Sequence, residues 1–418
     1  MDFPQMIRIR QNFMAQRLDD IPHEIKSQMK RLGLKKKAAN GQKVAVACSS
    51  RGIANYDTIV KTVVSSLKQM GLAPFIVPAM GSHGAATAAG QLRIMEHLGI
   101  AEKEIGAPIR SSLEVVQIGE TEERIPVYLD KLAAEADHLV LVNRIKKHTE
   151  FEHEFESGLL KLMAIGLGKQ KGAAVYHEAM LTYGYPRVIL NVARKVLQDT
   201  NVLFGLGVVE NGYNQTAAIG LCPPKNIEEM ETDLLKIAKK LTPSLPFDQA
   251  DILIIDEMGK EISGTGFDTK VVGRIGLPLV TREPESPRIK RILVCDLSAK
   301  SEGNAVGVGI ADFITQRLLD KINMNALNIN TITGVCPEMG KIPLTLKNDR
   351  EAIRTAIKCV GLIPLAQLKI MRVKNTSLIR DVDISQGFEN ELLQRSDLTI
   401  VGEKKPMIFN PSGNLEPF

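Results

Sequence analysis

The 418-residue sequence has no tryptophan, and its aromatic residues amount to only 4%. A chain so poor in rings offers no platform on which bases could stack, which argues against a nucleic-acid partner. Neither sign of charge dominates: 53 Lys and Arg stand against 48 Asp and Glu, a net charge of +5. The longest block of like charge is Lys35, Lys36 and Lys37. So weak a basic bias suits a small anionic substrate. The opening MDFPQMIRIRQNF holds no long apolar stretch, and none long enough to cross a membrane follows it, so a cytoplasmic location is expected. The five cysteines, Cys48, Cys222, Cys295, Cys336 and Cys359, include no CxxC pair. That spacing argues against a zinc ribbon or an iron–sulfur site, and buried reduced thiols are expected.

What is present is ordinary globular material, 44% apolar and 24% charged, on a chain too long for one core. KVAVAC (Lys43–Cys48), PFIVP (Pro74–Pro78) and HLVLVN (His138–Asn143) read as buried strands. Between the first two, Ile59, Val63, Leu67 and Met70 mark one face of a helix, with Asp57 or Thr58 as its cap and Gly71 as its stop. Strands alternating with helices predict an α/β fold with parallel-type sheets. LPFDQA (Leu245–Ala250) reads as a linker, giving two α/β domains, 1–245 and 251–418, with an active-site cleft between them. In the second domain DILIIDE, KRILVCD and LNINTIT read as strands, GIADFITQRLLDKI as a helix and SDLTIV as one more strand. Ligands bind at the carboxyl ends of strands in such sheets, and Arg51, His83, Arg144 and His148 all fall just past strand ends.

The most informative stretch is RIKKHTEFEHEFESGLLKLMAIGLGKQKGAAVYH, Arg144 to His177, with three of the seven histidines. ESGLLK reads as a helix start in which Ser157 can cap and Gly158 allows close approach of a ligand. Free N–H groups there would suit a phosphate, with Lys161 one turn in. GLGKQKG has the spacing of neither a P-loop nor a dinucleotide fingerprint.

Taken in order, the SRG turn after the first strand, the GSHG loop, the HTEF and ESGLLK segments and a histidine sixteen residues after Lys161 resemble the nickel-dependent lactate racemase family. The resemblance is strongest from about Val44 to His177 and continues through GKEISGTGFDTKVVGR and SEGNAVGVGIADF, roughly two-thirds of the chain. It implies a nickel-pincer nucleotide held covalently on Lys161, with His177 completing the nickel coordination. His83 and His148 then match the two acid/base residues, one on each face of the substrate. Arg51 matches a nucleotide-phosphate contact, and Lys260 a second-domain lysine near substrate or cofactor. The implied reaction is racemisation or epimerisation at C2 of a 2-hydroxy acid by hydride transfer. The enzymes that mature the pincer nucleotide are the implied partners. Cysteine is not needed, because the soft sulfurs come with the cofactor while neutral imidazole suits nickel.

This sequence departs from the lactate enzyme's pattern in three places. His148 stands thirteen residues before Lys161, a longer gap, which leaves His153 as a competitor. SGLLK replaces a double glycine, and the pocket tryptophan has no counterpart. A polar substrate, a sugar acid such as gluconate, is therefore the first candidate, and a plain aliphatic hydroxy acid the second. Two rivals are a zinc-dependent hydrolase built on His148, His153 and His177, and a non-catalytic carrier of the pincer nucleotide. His23, His97 and His138 read as structural or exposed. Lys260, Ser263, Thr265, Asp268 and Lys270 form a polar loop in which a simple turn competes with a ligand contact.

Overall fold

The computed structural model describes residues 3–34, 38–50, 52–277 and 281–418. Arg51 and the Lys35–Lys37 run lie outside the described residues. The fold is mixed α/β in two compact units. The first is Met14–Thr242, and the second joins Pro243–Phe418 to the N-terminal segment ending at Phe13.

In the first unit, β2 (Lys43–Cys48), β3 (Ala73–Pro78), β6 (His138–Arg144), β7 (Val202–Glu210) and β8 (Thr216–Cys222) form one sheet in the order β3-β2-β6-β7-β8. The first four are parallel and β8 closes the edge antiparallel. A separate antiparallel ribbon pairs β4 (Val115–Glu120) with β5 (Pro126–Asp130). Both faces of the large sheet are covered. Ala45, Ala47, Val77 and Leu141 point into one core, while Val44, Val46, Ile76 and Val140 point into another. Strands buried on two faces have no polar alternation, which is why they read as unbroken apolar runs. Between them the Tyr56–Gln69 helix buries Ile59, Val63 and Leu67 as its spacing predicts. Its N-cap is Asn55, in the left-handed region at φ 59°, so Asp57 and Thr58 lie inside the first turn and do not cap it. Chain order reverses between β2 and β6, making that edge of the sheet the crevice where ligands usually bind.

The second unit holds a nine-stranded sheet. β9 (Gln249–Ile255), β10 (Arg288–Val294), β11 (Phe313–Thr315), β12 (Leu344–Leu346) and β13 (Ile370–Val373) are parallel, in the order β12-β11-β10-β9-β13. β14 (Asp381–Ser385), β1 (Gln5–Gln11) and β15 (Leu398–Ile400) continue it antiparallel, and β16 (Lys405–Pro406) pairs with β1. The first strand thus belongs to the second unit and not, as expected from the sequence, to a 1–245 domain. Its register explains why. Arg8 faces Asp383 and Arg10 faces Asp381, each as a two-pronged pair at 2.7–3.1 Å. Ile7 and Ile9 fill the core beneath. Opposed charges on facing positions add about 0.2–1 kcal/mol each.

Two second-unit expectations change. Leu327–Thr333, taken as a strand, lies in the Met324–Thr333 helix. The alternating Asn and Ile residues misled, because Asn323 caps the helix by accepting from Ala326 N–H and Asn330 bonds back to Ala326 O. The stretch read as one helix begins instead with β11, and Thr315 then caps a shorter helix, Gln316–Lys321. Four of the cysteines are buried and Cys359 is exposed, all as free thiols. Among the described residues no helix is long and apolar enough to cross a membrane.

Candidate active site

The loops that leave the carboxyl ends of β2, β3 and β6 carry most of the predicted residues. Past β2, Ser49 N–H donates to the Tyr56 hydroxyl at 2.8 Å and Ala54 N–H to Glu210 at 2.5 Å. Glu210 also pairs with Arg144, so the last residue of β6 is tied to the segment at Ala54. Arg144 is therefore a tie between strand end and loop.

His83 lies on the exposed loop after β3. Its Nδ1 is 2.7 Å from Met80 O, with Ser50 Oγ at 3.3 Å. A carbonyl only accepts, so Nδ1 carries the hydrogen and the lone pair sits on Nε2. That is the tautomer of a base. The loop is pinned to the segment after Lys161 by Gly81 N–H donating to Gly166 O at 3.1 Å. At Gly166 an added Cβ would come within 2.7 Å of Ala79 O, so this crossing leaves no room for a side chain.

His148 lies past β6 and is 5% exposed. Its ring packs on Phe151 at 4.4 Å between centroids, and Phe151 stacks on Tyr185. Its own N–H donates to Glu156 at 2.7 Å, and Glu156 is held by Lys239. Glu150 N–H donates to His148 Nδ1 at 3.0 Å. A backbone N–H only donates, so in the neutral ring Nε2 bears the hydrogen, the tautomer of an acid. That Nε2 meets Lys161 Nζ in a very short contact. Which of the two groups donates in that contact depends on the protonation of Lys161 and on the ring tautomer. The resemblance implies that His148 faces the substrate opposite His83; in this structure its ring also meets Lys161.

Lys161 ends a single helical turn, Leu159–Lys161, and the next five residues, Leu162–Gly166, wind as a π-helix. Such wide turns interrupt helices most often at functional sites. The N-terminus of that first turn is capped by Gly158, with no side-chain cap from Ser157. Leu160 N–H donates instead to Glu231 at 3.0 Å, a carboxyl fully buried 71 residues onward. Ser157 is engaged through its backbone in a bridge to Lys146. The expected phosphate-ready N–H group is thus already taken. Burial pushes the Glu231 carboxyl up to about 7, against the pull of the two backbone N–H groups. At Gly158 an added Cβ would fall 2.4 Å from that carboxyl, so the glycine serves a protein contact.

His177 sits on the Lys169–Tyr183 helix. Its Nδ1 is buried and has no hydrogen-bond partner. Burial first, and then the charge of Lys161, push its pKa down to about 4. At neutral pH it is a neutral imidazole with an unmet polar atom, as a metal ligand must be. The donor set thus fits a group that takes one nitrogen from His177 and a covalent bond from Lys161.

His153 is exposed and lies edge-on to Phe155 at 4.5 Å. Among the described residues no three His, Cys, Asp or Glu side chains are grouped to hold a metal ion. The zinc site on His148, His153 and His177 is therefore not formed. In the second unit, Lys260 Nζ donates to Gly264 O at 2.8 Å and its N–H to Ser301 Oγ at 2.9 Å. Asp268 caps the Thr269–Val272 turn, and Thr265 donates to Phe267 O at 2.8 Å. These contacts build the loop itself.

Residues 8–185 match the model of the lactate racemase N-terminal domain. This part of the chain is therefore similar to the lactate racemase N-terminal domain. The fold is shared with solved structures. The lactate racemase apoprotein from Thermoanaerobacterium thermosaccharolyticum superposes with a TM-score of 0.52 at 14% identity, over 87% of this chain and 93% of the other. A Thermotoga maritima protein gives 0.54 at 14% identity, over 87% and 99%. No curated protein matches the chain in sequence. The lactate racemase match ends at Tyr185, so it takes in His83, His148, Lys161 and His177 but neither Glu231 nor Lys260. Sequence reasoning missed Glu231. Its signal was there, since it occupies a core position of the Ile227–Leu241 helix alongside Ile227, Leu234 and Leu235.

Proposed function

We propose that the chain is a racemase or epimerase that inverts C2 of a 2-hydroxy acid, with a nickel-pincer nucleotide joined to Lys161 and ligated by His177. The observation that carries this reading is the buried, unpartnered Nδ1 of a His177 ring that stays neutral at physiological pH. A buried ring nitrogen without a partner costs stability unless a ligand takes it. When bound, the group supplies a nickel-activated ring able to accept and return a hydride.

The chain's own residues handle the protons. His83, with its lone pair on Nε2, takes the proton of the 2-hydroxyl. His148, with its hydrogen on Nε2, returns one to the oxygen, and the reverse reaction exchanges the two roles. A cofactor held on Lys161 would occupy the nitrogen that His148 meets and leave the imidazole to this task. Two acid/base residues in complementary tautomers favour catalysis over a carrier role, which would need only Lys161 and His177. The absence of tryptophan favours a polar substrate, with sugar acids such as gluconate ahead of aliphatic hydroxy acids. The maturation enzymes of the pincer nucleotide are the proposed partners.

The test is intact mass and metal analysis of protein co-expressed with those maturation enzymes. A mass increase on the peptide containing Lys161, with nickel near one per chain, supports the reading, and 2-hydroxy acids are then screened for inversion. Unmodified protein, under conditions that load a lactate racemase, overturns it. Loaded protein that inverts no acid across sugar and aliphatic series makes it a carrier.

A further inference from the structure

Eight residues after Lys161 and eight before His177 stands a second lysine whose side chain is wholly buried. Lys169 is 0% exposed and adopts φ 54°, a left-handed conformation that costs a non-glycine residue of order 1 kcal/mol. Its ammonium donates to Gln91 Oε1 at 3.1 Å and to Pro78 O, and forms an ion pair with Asp130 Oδ2 at 2.9 Å. Asp130 and Gln91 are also 0% exposed. A buried ion pair is a poor source of stability compared with apolar packing, and here it comes with backbone strain. What it supplies is placement.

The network runs straight to the His83 loop. Pro78 ends β3, five residues before His83. Gln91, held by Lys169 at its oxygen, donates through Nε2 to Gly81 O at 3.0 Å and reaches His83 O at 3.5 Å. Asp130 N–H donates to Leu167 O at 2.7 Å, fixing the end of the π-helical segment that follows Lys161. Lys169 itself is the first residue of the helix that carries His177. One buried cation therefore ties the backbone of the base loop to the start of the helix bearing the unpartnered imidazole.

We propose that Lys169 is a positioning residue that holds the His83 loop against the Lys161–His177 segment, with Asp130 and Gln91 as its relays. The inference rests on the isomerase reading for what the positioned groups do, but not for the positioning itself. The test uses Lys169→Met combined with Asp130→Asn, which removes both charges and so leaves no unpaired ion in the core. A second variant, Gln91→Leu, cuts only the relay to the loop. On protein labelled with 15N at histidine, and assigned through His83→Gln, the ring nitrogens of His83 report its tautomer. The wild type is expected to keep the hydrogen on Nδ1. Both variants, with cooperative unfolding retained, are expected to lose that preference, while the ring signals of His138 stay in place.

In loaded enzyme that inverts a substrate, the same variants are expected to lower kcat about 100-fold, the cost of a displacement near 1 Å, with KM changed less than threefold. Folded variants in which the His83 signals do not move overturn the proposal, whatever the enzyme does. Altered His83 signals in a protein that never takes up a cofactor leave the positioning intact and overturn the function.

Discussion

His138 and His177 belong to the same unit and sit on opposite terms with their surroundings. His138 opens β6 at the amino edge of the sheet, 3% exposed. Its Nε2 meets Gln42 Oε1 at 2.9 Å and its Nδ1 meets Asn201 Nδ2 at 2.8 Å, so both ring nitrogens are satisfied by side chains. His177, beyond the carboxyl edge of β6 in sequence, has a buried Nδ1 that nothing satisfies. Burial alone does not separate a structural histidine from a functional one. The count of met and unmet ring nitrogens distinguishes the two, because an unmet buried nitrogen costs stability unless water or a ligand meets it.

The sharpest break in that comparison is at the group expected to fill the gap. Lys161→Ala is expected to abolish the covalent mass increase and all inversion activity, with the apo fold intact by far-ultraviolet circular dichroism. A mass increase that survives in this variant would move the attachment elsewhere and remove the link between Lys161 and His177. The next largest effect compares the two histidines in the apo chain. His138→Leu strands the amides of Gln42 and Asn201 and is expected to destabilise by about 2–5 kcal/mol. His177→Leu removes an unsatisfied group and is expected to be neutral or slightly stabilising, while nickel retention is lost. Urea midpoints of the two variants check this, and equal losses would make His177 a structural residue like its counterpart.

The elements that carry the candidate residues were legible where their cues are local. Lys161 and His177 are set by spacing along one segment, and His83 by a glycine-rich loop after a strand of unmistakable pattern. What stayed hidden depends on partners distant in sequence. Glu231 caps the Lys161 turn at Leu160 from 71 residues away, and Lys169 looks like a solvated lysine until Asp130 and Gln91 close around it. His148 was found as a residue but not as the neighbour of Lys161, since that contact depends on a loop conformation fixed by Glu156 and Lys239. β1 carries no mark of its pairing with β14, some 370 positions on, beyond two arginines whose partners are two aspartates.

Glu231 extends the comparison to a carboxyl and gives the third effect. Its pKa is about 7 in the fold against an ordinary 4.5. The folded state therefore holds a proton that the unfolded chain has released, so the stability this group contributes is full below pH 4.5. It is lost as pH rises through 7. The shift corresponds to a loss on the order of 3 kcal/mol between those limits. Glu231→Gln keeps an acceptor for Leu160 N–H and cannot ionise. It is expected to match the wild type near pH 4.5 and exceed it at pH 8, measured by urea unfolding at each pH. A constant offset across the range would mean that Glu231 titrates normally.

The smallest effect tests whether Gly158 serves that carboxyl or a ligand. A methyl group there meets the Glu231 carboxyl at 2.4 Å, and overpacking of this kind costs about 1–3 kcal/mol. Gly158→Ala is expected to lose that much in the apo chain. Combined with Glu231→Ala, which clears the space, it is expected to add less than the sum of the two. The ligand explanation predicts the opposite: no loss in the apo chain, strict additivity with Glu231→Ala, and a defect confined to cofactor uptake. The urea midpoints of the single and double variants therefore decide between a glycine kept for a buried carboxyl and one kept for a phosphate.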